Sequence, residues 1–520
     1  MRSEVNRPLR TADQGDGTYR NPVLRADWSD PDAVRVGRDF YLTASSFHRV
    51  PGLPILHSRD LVNWTLIGHA LDRLEPAEAF AAPHRGSGVW APAIRHHGGR
   101  FRIFYPDPDR GIFTVTAEDP AGPWSEPHLL KGGAGLIDPC PLWTPDGQAY
   151  LVHAWAKSRA GFNNRLTCHR MNEDGTELLD EGAVVVDGDA IDGYRTLEGP
   201  KFYAKDGWYW IFAPAGGVRD GWQSVFRSRD PLGPYEHRIV LEQGETDVNG
   251  PHQGAWVTTE SGQDWFLHFQ DRDAFGRVVH LQPMRWDADG WPVIGDPPGR
   301  PVASHPKPDT EEQVTAAPPA ADEFEGVIGP QWAWAANPDP AWHEASTGRL
   351  TLACAPTDTG DLRQLPNLLE QRLPAEDFRA QTSVRLVSSA PKARTGLAVL
   401  GESYAWIGLH RTDDGAELVF RTAARGQAER DSAPPRAVRV DMEGTTTPVR
   451  LGVEVTGEGV CRFLAGIGTG PLEAVGLPFQ ATSAGWVGAA LGLFATASGP
   501  GGGTADFGPV RICAAGDGRG

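Results

Sequence analysis

The chain has 520 residues and a formal net charge of −18, from 49 basic and 67 acidic residues. A chain of this length usually organises more than one hydrophobic core, so two or more domains are expected. The acidic balance argues against nucleic acid and anionic membranes as partners, because both attract basic surfaces.

The first 20 residues are polar and are predicted to form a loose N-terminal arm. From residue 21 to residue 302 one unit recurs five times. Each copy has a proline at the start of an apolar run, then a glycine turn and an aromatic-rich run, which is the pattern of a β-hairpin. The prolines follow one another at intervals of roughly 50 to 60 residues, as expected for an array of repeated units. They are Pro31, Pro92, Pro139, Pro200 and Pro251.

A second repeated element follows the hairpin in several copies, at residues 58–64, 117–124 and 228–235. It raises the count to three or four strands in each unit. Five such units predict a five-bladed β-propeller, with the proline strands innermost around the axis. Residues 303–322 are rich in proline, alanine and charge and are predicted to be a semi-rigid linker. Residues 323–517 carry many short alternating strands, which predicts a β-sandwich of the jelly-roll type. The predicted fold class is therefore all-β.

Three carboxylates occupy matching places in the repeat, directly before the proline of units one and three and one residue further away in unit four: Asp30, Asp138 and Glu198. A lone Asp before proline is typical of a turn. Three in register predict convergence at one mouth of the propeller, where burial and mutual repulsion favour a functional site. A pair of carboxylates acting on a neutral polyhydroxyl substrate suits glycoside hydrolysis, with one ionised and the other protonated.

The runs at residues 21–24, 29–32, 88–92, 137–139 and 198–200 resemble glycoside hydrolase family 43, and those at 276–277, 281–283 and 289–292 add to the resemblance. Residues 366–369 and 505–507 resemble the concanavalin-like β-sandwich appended in the β-xylosidase and α-L-arabinofuranosidase branch. The resemblance implies an inverting exo-hydrolase that releases terminal xylose or arabinofuranose from xylan- or arabinan-derived oligosaccharides. By position, it implies that Asp30 is the general base, Glu198 the general acid and Asp138 the group that holds and tunes Glu198.

The resemblance also implies four substrate-binding residues: Phe47, Trp90, Arg277 and His252. The family places a histidine near the axis, sometimes beside a divalent ion such as calcium. For His252, a hydrogen-bonded core histidine is an equally good hypothesis. No cofactor is expected to be required, and Asp32 is interpreted as a turn residue. The sandwich of this branch can lend a loop that closes the pocket, but the sequence does not identify its residue.

Two other functions remain open from the sequence. The Arg-Asp-Pro run at residues 229–231 resembles that of retaining fructoside hydrolases, although it follows Glu198 and coincides with the second repeated element. A sugar-binding propeller without turnover is the other possibility. The five cysteines are scattered and indicate neither a disulfide framework nor a zinc site. The N-terminal residues lack an apolar signal segment, so a cytoplasmic location is expected. Nothing indicates an oligomeric state.

Overall fold

The computed structural model describes residues 9–515, except residues 312–313, 358, 414, 439, 442–443, 446 and 500. Regular structure in this part of the chain is almost entirely β. The helical elements it contains are one turn of α-helix at Lys157–Ala160 and four 3₁₀ turns at Gly188–Ala190, Asp273–Phe275, Pro340–Trp342 and Leu362–Gln364. Among the described residues, no helix is both long enough and apolar enough to span a membrane.

Five four-stranded antiparallel sheets follow one another in the described chain, and each pairs its strands in sequence order. The strands are Asp32–Val36, Asp39–Thr43, Gly52–Ser58 and Thr65–Leu71 in blade 1; Ala93–His97, Arg100–Asp107, Gly111–Ala117 and His128–Gly132 in blade 2; Leu136–Trp143, Ala149–Trp155, Arg165–Met171 and Ala183–Asp187 in blade 3; Lys201–Lys205, Trp208–Ala215, Trp222–Ser228 and Glu236–Glu242 in blade 4; and His252–Thr258, Asp264–Asp271, Arg277–Trp286 and Pro292–Ile294 in blade 5. The innermost strand of blade 1 contacts those of blades 2 and 5 and closes the ring. The predicted five-bladed propeller is confirmed.

The blades are held together by apolar side chains that alternate along the strands and pack between neighbouring sheets. Leu42 and Trp64 of blade 1, for example, belong to one buried cluster with Trp265 and Leu281 of blade 5. The aromatic-rich runs of the repeat supply much of this packing, so most of the tryptophans serve the core.

Residues 1–8 of the predicted N-terminal arm lie outside the described residues, and the rest of the arm contains a strand. Thr18–Arg20 forms an antiparallel strand with Ser304–Pro306, which lies in the predicted linker. Tyr19 is completely buried, and its hydroxyl donates a hydrogen bond to the Leu281 carbonyl at 2.8 Å. The prediction of a loose arm is wrong for these residues, because a buried aromatic side chain ties them to blade 5.

The sandwich consists of two nine-stranded sheets within the described residues. The first contains Ala333–Trp334, Leu369–Arg372, Ala490–Ala497, Arg394–Leu400, Tyr404–Thr412, Gly415–Ala423 and Arg430–Asp431, with Ala355–Pro356 and Arg436–Val438 alongside. The second contains His343–Ser346, Arg349–Ala353, Thr504–Phe507, Phe378–Val387, Val449–Val455, Val460–Ile467 and Glu473–Ala474, with Phe479–Gln480 and Arg511–Ala514 alongside. A further small hairpin joins Val440–Asp441 to Gly444–Thr445. Side chains from the facing sheets form the core, as in other β-sandwiches.

The two domains meet through a buried ion-pair network centred on Glu370 of the sandwich. Arg85 Nη2 lies 2.6 Å from one Glu370 oxygen, and Arg49 Nε lies 3.5 Å from the other. Burial opposes ionisation of Glu370, but the two guanidinium groups outweigh it and lower its pKa to about 2. Backbone hydrogen bonds between Val50 and Trp334 run in both directions beside this network. The sandwich is therefore fixed against the face of the propeller that carries the predicted site.

Candidate active site

The three predicted carboxylates line one cavity at the mouth of the propeller, with a volume of about 670 Å³ including its open part. The cavity walls also contain the predicted residues Phe47, Trp90 and Arg277. The remaining lining residues are Ala91, Ile137, Thr196, Gly217, Val218, Gln253 and Trp486. The structure thus brings together six of the seven predicted site residues. The seventh, His252, lies behind the wall.

Sharp backbone turns place these side chains in the cavity. Five non-glycine residues of the lining have left-handed backbone conformations, with φ between 35° and 56°: Asp30, Phe47, Asp138, Thr196 and Gln253. This conformation is uncommon for residues with a Cβ and persists only where the surrounding structure enforces it. At Asp30 and Asp138 this conformation occurs directly before the proline of the repeat. The chain therefore runs on into the innermost strand, while the carboxylate lies in the cavity at the mouth of the propeller.

Asp30 is surrounded by hydrogen-bond donors. Ser45 Oγ donates to Asp30 Oδ2 at 2.6 Å, and Arg277 Nη1 donates to Asp30 Oδ1 at 2.8 Å. The guanidinium group of Arg277 also donates to Ser29 Oγ at 2.9 Å and lies over the ring of Phe269, which fixes its plane. An ionised carboxylate only accepts hydrogen bonds, and both oxygens of Asp30 accept one here.

Asp138 and Glu198 are two neighbouring carboxylates whose charges interact. Asp138 is 4% exposed, and its Oδ2 accepts a hydrogen bond from the Gly199 amide at 2.8 Å. Burial and the neighbouring Glu198 carboxylate raise the pKa of Asp138 well above its usual range. Two carboxyl groups that interact this strongly titrate as a pair. Asp138 therefore retains its proton at a pH where a solvated carboxyl would have lost it.

Glu198 is the more exposed member of the two carboxylates. Its side chain is 24% exposed, whereas His252, on its other side, is 1% exposed. His252 Nε2 lies 3.1 Å from Glu198 Oε1 and holds the carboxyl group toward the cavity. The predicted contact between His252 and the sugar is thus replaced by a contact with Glu198. The hypothesis of a hydrogen-bonded core histidine describes this contact.

Three aromatic side chains form the outer wall of the cavity. The rings of Phe47 and Trp90 lie 6.3 Å apart. Trp90 Nε1 donates to the Gly86 carbonyl at 3.0 Å, and the Arg159 guanidinium lies over the Trp90 ring at 5.2 Å. Trp486 comes from the sandwich and meets Trp90 edge to face at 5.9 Å. It is 49% exposed, which leaves a flat apolar surface for a sugar.

Trp486 is the functional residue that the sequence did not identify. It lies in the turn between Phe479–Gln480 and Ala490–Ala497, a segment of residues 481–489 that we call the sandwich loop. The sequence offered one signal for it, a tryptophan directly after a glycine in a turn of the sandwich. A tryptophan in an exposed turn has no core to fill and so indicates a contact elsewhere.

Asp32 is not a turn residue. It begins the innermost strand of blade 1 and is completely buried. Its Oδ2 accepts hydrogen bonds from Arg95 Nη1 at 2.6 Å and from the Ile94 amide at 2.7 Å. Its Oδ1 lies 3.9 Å from the Nζ of Lys201, which is also buried. The Asp-Pro-Asp run resembles a turn in the sequence, yet its second aspartate pairs with two cations from other blades, Arg95 and Lys201, and leaves one positive charge in excess.

Near His252 the described residues offer a calcium ion no cluster of side-chain ligands. Calcium takes six to eight oxygen ligands, and the described part of the chain contains no cluster of three or more His, Cys, Asp or Glu side chains that could hold a metal. Lys201 directly follows the proline of its unit, as His252 does in blade 5, and its ammonium group donates to the Pro92 carbonyl at 2.7 Å. With Lys201 and Arg95 on the axis, a divalent cation there would meet positive charge.

The Arg-Asp-Pro run lies away from the cavity. It follows the strand Trp222–Ser228 at the outer part of blade 4. Arg229 stacks on Trp208 at 3.7 Å and donates to the Gly207 carbonyl at 2.8 Å. This run is a turn at the edge of a blade, and it gives no support to a fructoside-type site.

Comparison with known proteins decides the family. The model described as glycosyl hydrolases family 43 matches residues 19–292, more than half of the chain. The chain belongs to this family. A second model, the β-xylosidase C-terminal concanavalin A-like domain, matches residues 321–512. The predicted family and both of its domains are confirmed, and the protein is a glycoside hydrolase of an inverting family.

Relatives of this family 43 enzyme match most of its length. A protein of Xylanibacter ruminicola, named provisionally as a β-xylosidase, is 42% identical over 78% of this chain and 75% of its own length. A non-reducing-end α-L-arabinofuranosidase of Bacteroides ovatus is 31% identical over 74% of this chain and 73% of its own. The crystal structure of a family 43 protein from Bacillus licheniformis is 25% identical and superimposes with a TM-score of 0.82, covering 96% of this chain and all of that one.

Proposed function

We propose that this enzyme releases terminal β-D-xylose or α-L-arabinofuranose from xylan- or arabinan-derived oligosaccharides by a single inverting displacement. The observation that carries the proposal is the contrast between two carboxylates in one cavity. Both oxygens of Asp30 accept hydrogen bonds, from Ser45 and Arg277, while Glu198 lies beside Asp138, whose pKa is raised by burial and by the Glu198 carboxylate. That contrast is what an acid and a base need at the same pH.

In the proposed reaction, Asp30 takes a proton from a water molecule, whose oxygen attacks the anomeric carbon. The bond from that carbon to the leaving oxygen breaks, and Glu198 gives its proton to the leaving oxygen. The products are a pentose of inverted configuration and a shortened oligosaccharide. Asp138 and His252 contact the acid side of the site and orient Glu198. Arg277 holds Asp30 and is placed to donate to sugar hydroxyls.

The aromatic wall supports exo action on a small sugar. Phe47, Trp90 and Trp486 close the cavity on its outer side, so a chain end can enter more easily than the middle of a polysaccharide. The names of the Xylanibacter and Bacteroides relatives, a β-xylosidase and an arabinofuranosidase, support a terminal pentose.

The test is a hydrolysis panel with 4-nitrophenyl β-D-xylopyranoside, 4-nitrophenyl α-L-arabinofuranoside and arabinoxylan oligomers, with sucrose and inulin as controls. We expect release of a single pentose from at least one of the first three and none from the fructosides. Binding of xylooligosaccharides by calorimetry with no released monosaccharide would favour a binding protein and overturn the proposal.

We further propose that turnover needs no divalent ion, because Lys201 and Arg95 supply positive charge on the axis. Extended treatment with a chelator should leave kcat unchanged. A loss of activity that calcium restores would contradict this.

A further inference from the structure

Asp27 is a buried carboxylate outside the two groups described above, Asp138 with Glu198 and Asp30 with Arg277. It lies three residues before Asp30, is 3% exposed and does not line the cavity. Its Oδ1 accepts the Arg277 amide at 2.9 Å. Its Oδ2 accepts the Gly488 amide of the sandwich loop at 3.0 Å. One carboxylate therefore binds the backbone of the residue that holds the base and the backbone of the loop that carries Trp486.

The packing around Asp27 is tight and leaves no room for a side chain at either neighbouring glycine. A Cβ on Gly276 would lie 2.4 Å from Asp27 Cγ, and a Cβ on Gly488 would lie 2.6 Å from the Gly276 amide nitrogen. The Ala489 amide also donates to the Ala274 carbonyl at 2.7 Å. The propeller turn that leads into Arg277 and the sandwich loop are therefore in direct backbone contact, with the carboxylate of Asp27 beside them.

The same turn is anchored in the sandwich. Ala274 and Phe275 belong to the buried apolar cluster that forms the sandwich core. The charge of Asp27 is balanced by Arg49, whose Nη1 lies 3.8 Å from Oδ2. Arg49 in turn approaches Glu370 of the sandwich. A displacement of the sandwich would therefore reach Arg277 through Asp27 as well as through this turn.

We propose that Asp27 is a positioning residue that couples docking of the sandwich to the geometry of the base. By fixing the backbone of Arg277, it places the guanidinium group that holds Asp30, and by fixing Gly488 it places the loop of Trp486. The inference rests on the proposed function, in which Asp30 is the base. It assigns the sandwich a second role: the domain helps to set the reacting geometry as well as walling the pocket.

The first test is Asp27→Asn, assayed well below its thermal transition. The asparagine keeps the shape, but its amide group cannot accept both backbone N–H groups. We expect kcat to fall by about 10- to 100-fold, as misplacements of about 1 Å can cause. The loss should be equal for nitrophenyl and alkyl pentosides, because the base side does not depend on the leaving group. Asp322→Asn is the matched control: both Asp322 oxygens accept backbone amides, and it does not line the cavity.

A second variant, Gly488→Ala, disturbs the same contact from the sandwich. If the two positions act through one coupling, the double variant Asp27→Asn/Gly488→Ala loses no more turnover than the worse single variant. We expect the control Asp322→Asn to lose thermal stability at most and to keep the wild-type kcat. The same result for Asp27→Asn would overturn the proposal. So would losses of kcat in the two single variants that multiply in the double variant. Failure of the wild-type enzyme to release pentose would instead overturn the proposed function.

Discussion

At the scale of single residues, the site works by giving two carboxylates different neighbours. Asp30 is paired with Arg277 and Ser45, and Glu198 with Asp138 and His252. Neither residue type nor position in the repeat distinguishes an acid from a base. Apart from Ser45, which belongs to the same blade as Asp30, the partners that distinguish them come from other blades, and the fold brings them together.

Replacing the acid should make turnover depend on the leaving group. In Glu198→Gln, we expect kcat with xylobiose to fall by roughly 10²- to 10⁴-fold, the usual contribution of general acid catalysis. A 4-nitrophenyl pentoside should lose much less, since its leaving group needs little protonation. Asp30→Asn serves as the control and should impair both substrates alike. Equal losses in Glu198→Gln would contradict its assignment as the acid.

We expect the ionised form of Asp138 to lower the folding stability of the protein. Because its folded-state pKa is raised above the unfolded value, ionisation favours the unfolded chain, and stability is lost as the pH rises above about 4. Asp138→Asn removes this cost, so its thermal transition at pH 7 should lie above that of the wild type. The Asn oxygen can still accept the Gly199 amide.

The same substitution should alter the pH profile of catalysis. Without the like charge of Asp138, the acid side of the site should release its proton at lower pH. The alkaline limb of the kcat/KM profile should therefore move to lower pH in Asp138→Asn. A variant that is less stable at pH 7 and has an unmoved alkaline limb would show that Asp138 has a packing role only.

At the scale of elements, the repeat allowed the site to be predicted and also limited the prediction. The innermost strands and their prolines recur in the sequence, so Asp30, Asp138 and Glu198 could be found by register. Asp32 was misinterpreted because its partners, Arg95 and Lys201, lie in blades 2 and 4. Local sequence carries no signal for such long-range pairing, and it could not show that His252 faces Glu198.

The sandwich loop was beyond prediction for the same reason. Trp486 is distant in sequence from every other residue of the cavity, and only the docking of two domains brings it to Trp90. Repeat register exists within the propeller and does not extend to the sandwich. The all-β class, the five blades and the sandwich were predictable because they follow from strand periodicity and turn residues.

Removing the aromatic wall should weaken substrate binding more than chemistry. In Trp486→Ala, we expect KM for nitrophenyl pentosides to rise by roughly 5- to 30-fold, the loss of about 1–2 kcal/mol of aromatic contact, with a smaller change in kcat. Trp486→Phe should recover part of the loss. Leu477→Ala, at a sandwich residue that is 82% exposed, is the control. An unchanged KM in Trp486→Ala would exclude this residue from the pocket.

At the scale of the whole molecule, the active site is shared between two domains fixed by a buried charge network. Glu370 has no exposed surface, and its two arginine partners come from the propeller. Removing one member of such a network leaves charges buried without compensation, which is more costly than losing a surface pair. The network makes the position of the sandwich, and thus of Trp486, a stable property of the fold.

Glu370→Gln should therefore destabilise the protein by roughly 3–5 kcal/mol at neutral pH. Because the folded-state pKa of Glu370 is lowered to about 2, its contribution is complete above the unfolded-state value of about 4.5 and is lost as the pH falls toward 2. In calorimetry, the gap between wild-type and variant transitions should be widest near pH 7 and narrow below pH 4. Glu118→Gln, in an exposed pair with Arg100, should show little change, and a similar result for Glu370→Gln would contradict the network.

The most direct test of the central claim is the configuration of the first product. Proton NMR during hydrolysis of an aryl β-D-xylopyranoside, or of an aryl α-L-arabinofuranoside if that is the better substrate, records the anomer before mutarotation. A base at Asp30 and an acid at Glu198 predict inversion, so α-xylose or β-arabinofuranose should appear first. Initial release of the retained anomer would show that a carboxylate attacks the sugar directly and would contradict the account.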